Sequence, residues 1–105
     1  MKMDRQTICI YKDLYCSRNL SDIEKFLITQ IRYGNERFEH FTAHIKRIAE
    51  YCDQYYDESE LKICYDKLVA YGLIKTEETT VQLEGRDPFK GHYDTIDENF
   101  LKKII

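Results

Sequence analysis

Two predicted helices are separated by only four residues, and this constrains the fold more than any other feature of the sequence. Apolar residues recur at helical spacing from Phe38 to Cys52 and again from Leu61 to Tyr71. Such spacing is typical of helices that bury one face. The second run is preceded by Asp57, a residue type that favours the N-cap position. Because residues 53–56 are too few for an ordinary loop, the sequence predicts two helices joined by a tight turn.

Capping signals set the expected ends of the helices. In a capping box, the N-cap side chain accepts from the backbone N–H three residues later, and the Glu at that position accepts from the N-cap N–H. The pattern pairs Ser21 with Glu24, Asp57 with Glu60 and Thr95 with Glu98. Gly34-Asn35 is expected to end the first helix, whereas Gly72 is expected to end the third in the left-handed conformation. The second helix is expected within residues 36–52, with Thr42 as an alternative N-cap.

Short β-branched segments predict the strands. Residues 7–11 are expected to form a first strand, and residues 73–76 and 80–84 are expected to form a hairpin around Glu77-Glu78-Thr79. Residues 85–91 are expected to form a loop before the last helix. The predicted fold class is therefore mainly α with a small β-hairpin (α+β). The length suits one domain over residues 1–105, with a core over about residues 7–85 and a C-terminal loop and helix over residues 86–105.

The last predicted helix begins at Thr95 and ends in two isoleucines, which favour burial. These isoleucines can either fold back onto the core or meet a partner subunit, and two-fold symmetry is the commonest arrangement of such subunits. We therefore expect a homodimer whose interface is formed by Ile96, Phe100, Leu101, Ile104 and Ile105.

Residues 7–76 resemble the winged helix-turn-helix domains of phage and plasmid replication-initiator and regulatory proteins. The resemblance rests on the sequence LSDIEKFL at residues 20–27 and on KLVAYGLIK at residues 67–75. It implies a three-helix core with a wing and a sequence-specific regulator, of viral or mobile-element type, that binds double-stranded DNA. In such domains the third helix contacts base edges in the major groove, while the second helix contacts the backbone. The corresponding residues here are Glu58, Ser59, Lys62, Ile63 and Lys67 on the third helix, Lys46 and Arg47 on the second, and Lys75 on the wing.

The charge pattern points to a different partner. The net charge is −3, and the third helix carries Asp57, Glu58, Glu60 and Asp66 beside only Lys62 and Lys67. Carboxylates repel phosphates, and DNA binding depends on Lys and Arg that release counterions. The alternative is an acidic protein-binding module, or a DNA-mimicking inhibitor, that binds a basic protein surface. DNA binding is favoured if one face is lined by Arg32, Arg37, Lys46, Arg47, Lys62 and Lys75.

Catalytic and metal-binding motifs are not recognised in the sequence. It carries no Gly-rich phosphate loop and no Gly-x-Ser-x-Gly elbow, so we expect neither enzyme activity nor a cofactor. His40 and His44 are expected to share a helix face, but no second ligand pair suits zinc. Free thiols are expected, although four cysteines also permit disulfides in three connectivities: Cys9, Cys16, Cys52 and Cys64. No signal peptide or membrane span is recognised, so we expect the protein in the cytoplasm, or in the host cell cytoplasm if it is viral.

Overall fold

The computed structural model describes residues 10–52, 55–81, 84–85 and 87–105. Within these residues the fold is α+β, with five helices and one antiparallel two-stranded hairpin. The elements are α1 (Lys12–Tyr15), α2 (Asp22–Arg37), α3 (Ile45–Tyr51), α4 (Glu58–Tyr71), β1 (Ile74–Val81), β2 (Phe89–Ile96) and α5 (Glu98–Ile104). This order is compatible with a winged-helix-like layout. Of the expected first strand, residues 7–9 lie outside the described residues, and Ile10 and Tyr11 belong to no strand.

The two main helices begin where their capping boxes predict. The Ser21 hydroxyl accepts from the Glu24 N–H at the start of α2, and the Asp57 carboxylate accepts from the Glu60 N–H at the start of α4. In both boxes the Glu side chain also accepts from the N-cap backbone N–H. Gly72 ends α4 with a φ of 86°, a left-handed conformation that costs glycine little.

The predicted end of the first helix at Gly34-Asn35 is wrong, because α2 continues to Arg37. Gly34 is buried inside the helix, where a Cβ atom would collide with the ring of Phe41. The Asn35 side chain donates to the Asp94 carbonyl (2.9 Å) and accepts from the Ile96 N–H (3.0 Å). Both residues therefore serve contacts with distant parts of the chain rather than a turn.

The hairpin exists, but its predicted turn is wrong. β1 runs through residues 77–79, and Glu77 and Glu78 face Tyr93 and His92 across the ladder. The connection between the strands therefore lies after Val81 and before Phe89. The second strand is Phe89–Ile96, so the expected strand over residues 80–84 and the expected loop over residues 85–91 are also wrong. The predicted capping box at Thr95 is also wrong. Thr95 lies in β2, and the Asp97 carboxylate caps α5 by accepting from the Phe100 N–H.

The chain between α2 and α3 runs beside β2. The Asp94 N–H donates to the Phe41 carbonyl (2.7 Å), and the Thr42 hydroxyl donates to the His92 carbonyl (2.5 Å). This segment holds His40 and His44 outside any helix, so the expectation that they share a helix face is wrong. Thr42 is not the N-cap of α3, whose N-cap is His44.

The core lies between α2, α4 and the base of the hairpin. Phe26, Leu27 and Ile31 of α2 are fully buried, as is Leu61 of α4. Residues from α1, β2 and α5 complete the core, namely Leu14, Ile96 and Leu101. Ile96 and Leu101 are 4% and 0% exposed, so the chain itself covers both side chains. The dimer interface that includes them stays a prediction.

Candidate functional site

The outer face of α4 presents the residues that the sequence assigns to a reading helix. Glu58, Ser59 and Lys62 are exposed, and Ile63 is 70% exposed. The opposite side of the helix is buried through Leu61, as the apolar stripe predicts. We call the set Glu58, Ser59, Lys62 and Ile63 the α4 face. An isoleucine exposed to this extent is available to contact a partner.

Three predicted cationic contacts near the α4 face are paired with carboxylates of the same chain. Lys62 Nζ lies 3.0 Å from Asp66 Oδ1, Lys67 Nζ lies 3.7 Å from Glu24 Oε2, and Lys75 Nζ lies 3.2 Å from Asp97 Oδ2. An exposed pair such as Lys62–Asp66 contributes little to stability. Their consequence here is electrostatic, because each pair leaves no net positive charge for a phosphate.

Arg32 is not available to contact a phosphate, because it forms ion pairs with two carboxylates of the same chain. Its guanidinium donates to Asp13 of α1 (3.0 Å) and to Glu98 of α5 (2.7 Å), and its side chain is 11% exposed. The hydrogen bonds that Arg32 donates to Glu98 raise the pKa of Arg32, although partial burial acts in the opposite direction. Burial alone would raise the pKa of Asp13, but the hydrogen bond and charge of Arg32 outweigh burial and lower that pKa. Arg32 therefore links three helices.

Lys46 and Arg47 are both exposed on α3. Within the described part of the chain neither side chain makes an ion pair. Arg37, at the end of α2, lies over the ring of Tyr33 at 4.5 Å. Of the six cations whose position on one face would favour DNA binding, Arg37, Lys46 and Arg47 make no ion pair within the described residues. The other three, Arg32, Lys62 and Lys75, are paired with carboxylates.

Carboxylates dominate the charge left on α4 and the hairpin. Glu58, Glu77 and Glu78 are exposed and make no ion pair within the described residues. Asp57 and Glu60 accept only backbone N–H groups at the start of α4. We call these five residues the acidic set. Because Lys62, Lys67 and Lys75 are paired, Glu58, Glu77 and Glu78 leave α4 and β1 together with a net negative charge.

A buried polar cluster, which the sequence did not predict, joins α4 to β2. The Asp94 side chain is 0% exposed and accepts from the Tyr65 hydroxyl (2.6 Å) and the Ala43 N–H (2.8 Å). His92 Nδ1 lies 3.0 Å from Asp94 Oδ2 but is not aligned for a hydrogen bond. Burial and the bond to Asp94 raise the pKa of Tyr65 to about 12. The only sequence signal is that Asp94 and Ile96 share one side of β2.

The C-terminal helix packs mainly on its own chain. Phe100, Ile104 and Ile105 are partly buried against the core, and the Ile104 carbonyl accepts from the Asn19 side chain (2.6 Å). Phe100 and Ile104 still border an open groove of about 420 Å³, together with Leu20 and Tyr71. A homodimer that uses these two side chains stays a prediction.

Thiols and possible metal ligands do not form a reactive site in the described residues. Cys52 and Cys64 are buried and Cys16 is exposed, and all three are free. Burial raises the pKa of Cys64 to about 12, so its nucleophilic thiolate is scarce at neutral pH. No group of three potential metal ligands occurs among the residues that the structure describes.

Comparison of the chain with protein-family models, with curated proteins and with solved structures finds no match. None of the helices in the described ranges has the length and apolar character needed to cross a bilayer.

Proposed function

We propose that this chain is a winged-helix-like protein-interaction module whose α4 face binds a basic surface on a partner protein. The layout supports the first part of the proposal. Helices α2, α3 and α4 are followed directly by a hairpin, as in a helix-turn-helix domain with a wing. The segment around Thr42, which hydrogen-bonds β2, joins the hairpin to the helical body.

The observation that carries the proposal is the distribution of paired and unpaired charge. Lys62, Lys67 and Lys75 are paired within the chain, while the acidic set is left without cationic partners in the described residues. Opposite charge on a partner steers association and selects against partners of like charge. A basic protein surface has the charge opposite to that of the acidic set, whereas a nucleic-acid backbone has the same charge.

Ile63 supplies the apolar part of the proposed interface. It is 70% exposed on the α4 face, one turn of helix away from Ser59 on one side and from Lys67 on the other. Interfaces draw most of their binding energy from a few desolvated side chains surrounded by polar residues. Ile63 with the polar side chains one turn away on α4 has that composition.

A regulator that binds duplex DNA is the second candidate, and one observation favours it. Lys46 and Arg47 are exposed and unpaired within the described residues, on the helix that contacts phosphates in helix-turn-helix complexes. Ser59, Lys62 and Ile63 would then face the bases. In this candidate the acidic set has to lie close to DNA phosphates, which is its electrostatic weakness.

Titration of fluorescent random duplex DNA, followed by anisotropy, distinguishes the two candidates. A DNA-binding domain should bind at about 50 mM salt and lose affinity by powers of ten towards about 200 mM when many phosphates are contacted. The proposal predicts no saturable binding at the lower salt concentration. Salt-sensitive binding that Lys46→Glu abolishes, with Glu84→Gln as a control on the hairpin connection, would instead establish the DNA-binding candidate.

A further inference from the structure

An open groove of about 310 Å³ lies between the C-terminal half of α2 and α3. Its walls include four aromatic side chains, Tyr33, Phe38, Phe41 and Tyr51. Tyr33 and Tyr51 are each 49% exposed, and Phe38 is 59% exposed. Exposed apolar side chains scattered singly need no explanation, but a contiguous group of them around a concavity marks a binding site.

Contacts made elsewhere in the fold hold the floor of this groove in place. Gly34 lets the Phe41 ring lie directly against the backbone of α2. The Phe41 carbonyl accepts from the Asp94 N–H (2.7 Å), so the segment that carries the ring is hydrogen-bonded to β2. The groove is thus formed before any ligand binds, which lowers the cost of binding.

The charge around the groove is positive. Arg47 and His44 line it, and none of the described lining residues is acidic. Both side chains are exposed, and neither makes an ion pair within the described residues. The Arg37 guanidinium, 4.5 Å from the Tyr33 ring centroid, adds a second cation at this edge. Arginine forms charge-assisted hydrogen bonds with carboxylate and phosphate groups.

We propose that this groove binds a small planar aromatic molecule that carries an anionic group. The ring stacks against the aromatic walls, and the anion contacts Arg47. The volume lies at the small end of the range for ligand sites, about 300–1,000 Å³, so the groove accommodates one ring system with its substituent. Aromatic faces stack with planar rings, and flat ligands therefore fit these walls better than branched aliphatic ones.

The ring and the anion are tested with two charged probes and their neutral parents. Adenosine monophosphate supplies a phosphate and indole-3-acetate supplies a carboxylate, while adenosine and indole lack the anion. Each is titrated into the ¹⁵N-labelled full chain and followed by amide chemical shifts. At least one charged probe is expected to give saturable shifts at residues 33–51 and to bind more tightly than its neutral parent. Which probe binds identifies the combination of ring system and anion that the groove accepts.

Two variants and a control locate the contacts. Arg47→Gln should weaken binding of the charged probe about tenfold or more, which corresponds to the loss of a hydrogen bond to a charged group. Phe38→Ala should weaken the charged and the neutral compounds alike, and because Phe38 is exposed the fold is retained. Lys46→Gln alters the neighbouring exposed cation, which does not line the groove, and should leave affinity unchanged.

No saturable shift with either charged probe at about 10 mM would overturn the proposal. So would saturable shifts confined to another surface, or an equal loss of affinity in Lys46→Gln and Arg47→Gln. The groove lies outside the α4 face. A failure of the proposed ligand binding can therefore be distinguished from a failure of the proposed protein contact.

Discussion

Removal of the Asp94 carboxylate tests the buried cluster that fixes the hairpin to the helices. The Asp94→Ala variant leaves the Tyr65 hydroxyl and the Ala43 N–H without their acceptor, at sites the chain shields from water. It also removes the negative charge 3.0 Å from His92 Nδ1. These three groups belong to α4, to the segment before α3 and to β2. Loss of the Asp94 carboxylate therefore weakens contacts between three parts of the fold.

The size of the effect follows from the groups left unpaired. A buried donor without a partner costs about 1–3 kcal/mol, and breaking a buried charged cluster by removing one member costs about 3–5 kcal/mol. We therefore expect Asp94→Ala to lower the free energy of unfolding by about 3–5 kcal/mol. Asp94→Asn keeps one oxygen acceptor and should cost about 1–3 kcal/mol. Domains of this kind have about 5–15 kcal/mol in total.

Urea unfolding at pH 7, followed by circular dichroism, measures both variants. Glu77→Gln makes the same carboxylate-to-amide change as Asp94→Asn at an exposed position of the same hairpin, and it should alter stability by less than about 0.5 kcal/mol. A loss below about 1 kcal/mol for Asp94→Ala, with an unchanged dependence on urea, would refute this explanation of the cluster.

Three further predictions concern Arg32, Gly72 and the cysteines. Because the pKa of Asp13 is lowered, its ion pair with Arg32 stabilises the fold above about pH 4, and this stabilisation is lost as the pH falls through the lowered pKa. The urea midpoint of Arg32→Gln should therefore fall less between pH 5 and pH 2 than that of the unmodified chain. An equal fall in both proteins would contradict this role of the ion pair. Gly72→Ala should cost about 1 kcal/mol in thermal unfolding, because the φ of 86° disfavours a side chain; a neutral substitution would argue against that conformation. Thiol labelling at pH 8, mapped by mass spectrometry, should modify Cys16 quickly and Cys64 only on unfolding, since burial raises the pKa of Cys64 to about 12; equal rates would show that Cys64 is not buried.

Local sequence signals predicted the ends of helices correctly where those ends depend only on residues adjacent in the sequence. The start of α4 at Asp57 and its end at Gly72 follow from side-chain and backbone preferences within one turn of helix. The predicted turns at Gly34 and at Glu77 failed, because contacts with distant residues override local turn propensity at both places. The polar contacts of Asp94 were likewise hidden, since Ala43 lies 51 residues away from it in the sequence.

The charge pairing around α4 could not be predicted from the sequence for the same reason. The Lys62–Asp66 pair follows helical spacing, but the pairs of Lys67 with Glu24 and of Lys75 with Asp97 depend on how the elements pack. The sequence predicts these three lysines as candidates for contacts with DNA. Because these lysines are paired with carboxylates in the fold, the charge of this surface favours a basic protein partner over a nucleic acid.

Photo-cross-linking from the α4 face tests the proposed protein contact most directly. p-Benzoylphenylalanine replaces Ile63 in one variant and Tyr15 in another, two side chains that are both 70% exposed, and each variant is irradiated in cells that express the chain. The proposal predicts a discrete protease-sensitive adduct from position 63 and none from position 15, and it predicts that Glu58→Lys weakens the adduct. Nuclease-sensitive adducts at position 63, or the same adducts from both positions, would contradict it.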